Sequence, residues 1–217
     1  MSSLIHRHPD DATLMSFAAG TLAEPLAAVV AAHVTMCTHC RAEVADMELI
    51  GAVLMTASAR GEDASAAMVT PARPPEPGRG IQADAAGSGD RLPAPIASVY
   101  GLTFDTIPWK WLGPGLQHHR LALSAGVEGD LRLLKIAPGP TMPEHGHSGA
   151  ELTLVLAGAY ADETGSYGPG DIQDVDGAVD HTPISDRDQG CICIIASEGP
   201  ARFKGLIAKL TQPWTGM

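Results

Sequence analysis

The amino-acid sequence predicts an α + β protein made of two parts joined by a linker, and three observations support this. Near the N-terminus, apolar residues recur at the spacing of amphipathic helices. The following stretch is dense in proline, glycine, alanine and small polar residues. Beyond it, short runs of β-forming residues alternate with turn residues. We therefore predict a small helical domain at 1–67, a flexible linker at 68–95 and a β-domain at 96–217.

The composition argues against two classes of function. The net charge is −11 and no cluster of Lys and Arg is present, whereas phosphate contacts to nucleic acid need such clusters. No apolar run reaches the roughly 18–20 residues of a membrane span, and the N-terminal MSSLIHRHPDD lacks the apolar core of a signal peptide. We therefore expect a cytoplasmic protein, whose four cysteines are thiols or metal ligands rather than disulfides.

The first predicted helix is short. Asp10 or Asp11 can cap it, Leu14 and Phe17 lie one turn apart on one face, and Gly20 is suited to end it.

A second and a third helix follow. Thr21 and Glu24 have the spacing of a capping box, Pro25 is tolerated in a first turn, and the run LAAVVAAHV then carries the second helix to about His33. After Cys40, apolar residues with a period of about 3.6 predict the third helix; they are Val44, Met47, Ile50 and Leu54.

The linker and the β-domain complete the pattern. The Pro- and Gly-rich stretch buries too little apolar surface to offset its chain entropy, so we expect the two ends to fold separately. The runs LRLLKIAP, ELTLVLAGAY, DIQDV and CICIIAS read as short strands. Their spacing suits an all-β barrel or sandwich.

The segment HVTMCTHC indicates a metal site. Cys37 and Cys40 can direct two thiolates to one ion, and His33 lies one helical turn before Cys37. Three such ligands suit tetrahedral Zn²⁺, and a structural zinc site has a fourth. A redox dithiol and inert buried thiols are the alternatives; a redox CxxC, however, usually follows a strand, and none is predicted here.

Three histidines are candidates for the fourth zinc ligand: His6, His8 and His39. His39 lies between the two cysteines, where the tight turn directs it outward. We prefer His8, because it precedes the first helix and can close the helical unit from its other end.

A second cluster lies in GPTMPEHGHSGAELTLVLAG, residues 139–158. His145 and His147 are two apart and share one face of an extended strand, Glu151 begins the next strand, and His181 follows a PGD turn. The pattern G-x5-H-x-H-x3-E-x6-G resembles the cupin metal motif, which implies a jelly-roll β-barrel with a metal site. The ligands implied are His145, His147, Glu151 and His181; the alternative is solvated turn residues. Such a set accepts Zn, Fe, Mn or Ni.

Cys191 and Cys193 lie on one face of a late strand, with Ile192 and Ile194 on the other face. That face is a candidate for the barrel interior near the metal. Most such cysteines are small core residues, and the alternative is an oxidation-sensitive role.

The two clusters in this order resemble the ChrR-type anti-sigma factors, which join an N-terminal zinc-binding domain to a cupin-like domain. Further similarities are AAGTL at 18–22, ELTLVL at 151–156 and QGCIC at 189–193. The resemblance implies a 1:1 complex with an extracytoplasmic-function-type sigma factor, released on oxidative or singlet-oxygen stress that the cupin domain senses. The partner surface that we predict consists of Leu22, Leu26, Val29 and Val30.

Two other classes of function stay open on the sequence. A cupin with three His and one Glu can act as a dioxygenase or isomerase, with substrate-positioning groups such as Glu163, Gln173 and Arg187. A metal-binding scaffold for another protein partner is the third reading. The zinc unit favours the regulator, because an enzyme gives no reason for it.

Overall fold

The structure is a computed structural model that describes residues 5–60, 91–139, 142, 145–146, 148–177, 179–199 and 202–203. Most of the predicted linker, the start of the chain and the C-terminal residues from 204 lie outside these ranges. The helices are α1 (Asp11–Ala18), α2 (Glu24–Met36), α3 (Thr38–Arg60) and α4 (Ala94–Tyr100), followed by a 3-10 turn (Phe104–Thr106). None of the described helices is long and apolar enough to cross a membrane.

All the strands follow α4, as predicted. They are β1 (Lys110–Gly113), β2 (Leu116–Arg120), β3 (Asp130–Ile136), β4 (His145–Gly146), β5 (Glu151–Gly158), β6 (Tyr160–Asp162), β7 (Gly165–Tyr167), β8 (Ile172–Val175), β9 (Ile184–Ser185), β10 (Cys191–Ser197) and β11 (Arg202–Phe203). The four runs predicted as strands correspond to β3, β5 with β6, β8 and β10. Helix α4 begins inside the segment predicted as linker, two residues before the predicted domain boundary.

The helical part differs from the prediction in one cap. Asp10 caps α1 as expected, with its carboxylate accepting from the Thr13 amide at 2.6 Å. The predicted capping box before α2 is wrong, because Ala23 occupies the N-cap and makes no side-chain bond. The Thr21 hydroxyl instead donates to the Ser16 carbonyl at the end of α1. Helices α2 and α3 meet at Cys37 without an intervening loop.

The strands form a six-stranded antiparallel sheet in the order β1-β2-β3-β10-β5-β8, a three-stranded sheet β7-β6-β9 and the pair β4-β11. The central strand β10 pairs with β3 on one side and β5 on the other over its whole length. Tyr160 and Tyr167 of the small sheet pack with Leu134 and Val155 of the large one, which closes a sandwich around an inner core. This agrees with the predicted cupin-like jelly roll.

The outer face of the large sheet packs against α2, so the two parts share one hydrophobic core. Nothing in the sequence indicated this shared core. The apolar residues of α2 that take part are Leu26, Val29 and Val30, all buried against sheet residues such as Leu133, Leu154 and Ile194. Leu22 is half-buried at the edge of this core.

This packing corrects the predicted partner surface. Leu26, Val29 and Val30 are not exposed in this arrangement, because the cupin sheet already covers them. Most of the exposed large apolar side chains of the described helical part lie on the second half of α3; they are Leu49, Ile50, Leu54 and Met55, and Met15 on α1 is exposed as well. The period of about 3.6 correctly predicted α3. It did not show which apolar residues of the helical part the sheet would cover.

Replacing Leu26 by Ala should lower the free energy of unfolding by about 2–5 kcal/mol, because it opens a cavity in the shared core. Leu54→Ala makes the same chemical change on a side chain that is 50% exposed, and should cost less than about 1 kcal/mol. Urea unfolding followed by circular dichroism measures both. Equal costs for the two variants would contradict the shared core.

Two candidate metal centres

The first cluster forms where α1, α2 and α3 converge. His8 precedes α1, His33 lies in the last turn of α2, and Cys37 and Cys40 bracket the start of α3. One ligand atom from each of the four lies within 4.8 Å of the others. The helical spacing of His33 and Cys37 and the turn at the α2–α3 junction direct three of them to one point, as the sequence predicted.

The distances within this cluster fit a tetrahedral ion. His8 Nδ1 lies 3.2 Å from Cys40 Sγ and 3.5 Å from Cys37 Sγ, and His33 Nε2 lies 3.3 Å from Cys40 Sγ. Zinc bonds of about 2.0–2.3 Å in a tetrahedron place ligand atoms about 3.3–3.8 Å apart. The donor set and its spacing therefore fit Zn²⁺.

The other two candidate ligands do not join the cluster. His39 points outward and its Nε2 lies 3.4 Å from the Glu43 carboxylate, with most of its side chain exposed. His6 is exposed, and its backbone amide, not its ring, makes the described contact to the β-domain. The geometry thus favours His8, the residue preferred on sequence.

His33 is fully buried, and its ring is oriented by the β-domain. Its Nδ1 lies 3.0 Å from the Gly170 carbonyl. A carbonyl only accepts, so Nδ1 carries the proton and the lone pair of Nε2 faces the cysteines. Burial lowers the pKa of His33 to about 4, and the Gly170 hydrogen bond only partly opposes this effect. The ring is thus held neutral, the form that binds metal.

The Cys40 thiol is held protonated when no ion is present. Burial, together with the neighbouring Cys37, raises the pKa of Cys40 to about 12. Two thiolates cannot lie this close in a buried site unless a cation compensates their charge. A divalent ion supplies that charge, so the same burial that disfavours free thiolates favours a cluster with a metal.

The second cluster lies inside the sandwich. His145 on β4, Glu151 at the start of β5 and His181 are all buried, with one ligand atom of each within 4.8 Å of the others. The Nε2 atoms of His145 and His181 are 3.2 Å apart, and the two residues pair through reciprocal backbone hydrogen bonds. His147, the fourth predicted ligand, lies outside the described residues.

Asp162 orients one ring of this cluster, and the sequence gave no signal for it. Its Oδ2 lies 2.7 Å from His181 Nδ1, which leaves His181 Nε2 directed at His145. Burial alone would raise the pKa of Asp162, but hydrogen bonds from His181, Thr164 and Gln173 outweigh it and hold the pKa well below its usual range. Asp162 is 19 residues from His181 in the chain, so no motif spacing connects the two.

Cys191 and Cys193 point into the same interior, as their alternation predicted. Both are buried, while Ile194 faces the core shared with α2. Cys193 lines a cavity of about 30 Å³ together with His145, Glu151 and His181. Its hydrogen bond with Cys191 and its burial raise the pKa of the Cys193 thiol. The Cys193 thiol is therefore protonated near neutral pH.

Fold and sites together define a class: a cupin-like sandwich that carries a helical unit with a second, zinc-type cluster. Residues 99–200 match the family described as "ChrR Cupin-like domain". The chain is 40% identical to the anti-sigma-E factor ChrR of Cereibacter sphaeroides over 214 residues, which cover 97% of this chain and 98% of that protein. It is also similar to the crystal structure of Rhodobacter sphaeroides SigE in complex with the anti-sigma ChrR, with a TM-score of 0.70 and 35% identity over 89% of this chain and 99% of the other.

The chain therefore belongs to the ChrR family of anti-sigma factors. The similarity spans both parts, so the helical unit and the cupin-like domain are both accounted for by one family.

The metal-free protein should lose stability as the pH falls from about 6.5 to about 4. In that window an unfolded His33 binds a proton that the folded, buried ring excludes, so acid favours unfolding. The contribution is on the order of 3 kcal/mol. We expect urea titrations to give a smaller pH slope for His33→Gln than for the unmodified chain; equal slopes would contradict the assigned burial.

Proposed function

We propose that this chain binds one extracytoplasmic-function-type sigma factor in a 1:1 complex and keeps it from RNA polymerase. The observation that carries this proposal is the near-full-length similarity to an anti-sigma-E factor, a protein solved in complex with its sigma factor. The function follows from binding and needs no chemical step. The net charge of −11 and the lack of clustered basic residues give no reason to expect direct contact with nucleic acid. We also propose that the protein acts in the cytoplasm.

We propose Zn²⁺ as the ion of the helical cluster, held by His8, His33, Cys37 and Cys40. The tetrahedral spacing and the two thiols support this choice over a hard cation. For the cupin cluster we propose Zn²⁺ or another divalent transition metal on His145, Glu151 and His181, with His147 as the fourth ligand. Imidazole and carboxylate donors accept several such ions.

We place the sigma-binding surface on the second half of α3. Four large apolar side chains are exposed there; they are Leu49, Ile50, Leu54 and Met55. Such a run on one helix is what a helix-in-groove partner contacts. Leu22, at the edge of the core, remains a candidate for the rim of the same interface, whereas Leu26, Val29 and Val30 would become available only if α2 left the sheet.

Release requires a difference in free energy between the bound and the free states. Moving the complex from 99% bound to 99% free takes roughly 5.5 kcal/mol of differential binding. We propose that oxidative or singlet-oxygen stress acts on the cupin cluster, whose imidazoles are oxidisable. Oxidation of a ligand, loss of the metal or proteolysis after local unfolding would each suffice. The thiols of Cys191 and Cys193, on the inner face of β10, are candidate oxidation sites in that route.

A cupin enzyme is the competing function. The cavity that the described ligands line is about 30 Å³, enough for about one water, whereas ligand pockets span roughly 300–1,000 Å³. Of the candidate substrate-positioning groups, Gln173 lines this cavity and is bonded to Asp162, while Glu163 and Arg187 line an open surface depression of about 980 Å³ that also includes Tyr160 and Asp162. The small cavity at the described ligands supports the regulator, whereas a substrate of the enzyme would have to bind in the depression beside Asp162.

Native mass spectrometry of the full-length protein, purified with its host's sigma factor, tests the proposed function. We expect a 1:1 complex that retains two metal ions. A chain that carries metal only in the cupin domain, forms no complex and turns over small oxygenase substrates would favour the enzyme.

Ile50→Asp and Leu54→Asp should each weaken sigma binding by at least about tenfold, because a charge enters an apolar interface. Ala42→Asp is the matched control: it adds the same charge at an exposed position in the first half of α3, about 12 Å along the helix from Ile50 and outside the proposed surface. Affinity is measured by calorimetry against the purified sigma factor, after circular dichroism has confirmed folding. Unchanged affinity in both apolar variants would reject α3 as the interface.

A further inference from the structure

We propose that the cupin turn at residues 168–171 forms the outer shell of the helical metal site, so that metal retention there depends on cupin docking. The inference rests on the proposed zinc site. It concerns residues of the β-domain that are 130 or more positions away in the chain from the ligands that they support.

The first contact is a carboxylate that anchors the segment carrying His8. Asp171 is buried, and its Oδ1 accepts the backbone amides of His6 at 2.7 Å and Arg7 at 3.0 Å. The Arg7 carbonyl in turn accepts the amide of Ile172 at 3.2 Å. Residues 5–10 belong to no helix or strand. These three bonds, together with the Asp10 amide that donates to Asp174 Oδ2 at 3.1 Å, therefore fix the position of His8.

The second contact acts on another ligand of the same ion. The Gly170 carbonyl accepts the Nδ1 proton of His33 and so fixes its tautomer and ring plane. Gly170 has φ +91°, and a Cβ there would lie 2.7 Å from Ile5 side-chain atoms. The close approach between the turn and the N-terminal segment therefore requires glycine at this position.

The residues on either side of this turn, Tyr167 and Gln173, lie close to the cupin cluster. The Arg7 guanidinium lies 5.8 Å from the centre of the Tyr167 ring, which stacks on Tyr160 at 4.9 Å. The Tyr160 hydroxyl donates to Gln173 Oε1, and Gln173 Nε2 donates to Asp162 Oδ2, the atom that orients His181. One short element, from Tyr167 to Gln173, thus contacts the surroundings of both centres.

These contacts predict that the turn at residues 168–171 affects how tightly the helical site holds its ion. Groups that orient metal ligands typically change metal affinity by about 10- to 100-fold when they are removed. Undocking of the turn would free the His8 segment and the His33 ring together, and two of the four ligands would lose their orientation. The helical site would then release its ion faster while its own four ligands stay unaltered.

Asp171→Ala in the full-length chain tests the first contact. The protein is loaded with Co²⁺, whose thiolate charge-transfer absorption reports on the helical site, because the cupin ligand set has no cysteine. Loss of that absorption to excess chelator should be at least about tenfold faster than in the unmodified chain. Asp171→Asn, which keeps one acceptor oxygen, should show a smaller effect.

Asp186→Ala is the matched control for Asp171. Its Oδ1 likewise accepts two backbone amides, those of Asp188 and Gln189, but it does so in a surface turn within the β-domain. Its cobalt release should match that of the unmodified chain.

Gly170→Ala tests the second contact, since the added methyl group displaces the N-terminal segment. Gly126→Ala controls for backbone strain, because Gly126 has φ +84° and open space around it. Fast cobalt loss in Gly170→Ala but not in Gly126→Ala supports the proposal.

Two outcomes of the cobalt experiment would contradict different parts of the proposal. Absence of the thiolate absorption in the unmodified chain would overturn the proposed zinc site itself. Normal absorption with unchanged release in Asp171→Ala and Gly170→Ala would leave that site intact and overturn the outer-shell role of the turn.

Discussion

The burial of one face of α2 under the cupin sheet is the constraint on which the rest of this structure depends. Val29 and Val30 are fully buried there, and the same helix carries His33 at its end. Burying several Leu and Val side chains contributes roughly 1.5–3 kcal/mol each. With α2 on the sheet, the His33 ring meets the turn after β7, and the position of the helical cluster follows.

This arrangement changes the role expected of the metal ion. A small three-helix unit with little core of its own would depend on zinc for folding. Here the sheet supplies most of the apolar surface that α2 needs, so the helical unit has a second source of stability. An ion bound there would join the His8 segment, the end of α2 and the start of α3.

The exposed half of α3 is consistent with a protein that functions by binding. Four of its large apolar side chains are exposed outside the shared core, and a monomer gains nothing by exposing them. An anti-sigma factor needs such a surface and also a way to change it. The cupin-like domain packs against α2 and carries its own candidate metal cluster, an arrangement that would allow such a change without a catalytic step.

The sequence by itself determined the order of helices and strands, the two ligand clusters and the family, because these depend on local periodicity and on short, specific spacings. His33, Cys37 and Cys40 converge since one helical turn and a tight junction separate them, and Cys191 and Cys193 share a face since strand side chains alternate. Only the tertiary structure decided which apolar face of the helices is buried. It also decided that Asp162 orients His181 and that Gly170 and Asp171 contact the other cluster. Those contacts join residues far apart in the chain, and their formation depends on how the sheet and α2 pack, which no local pattern encodes.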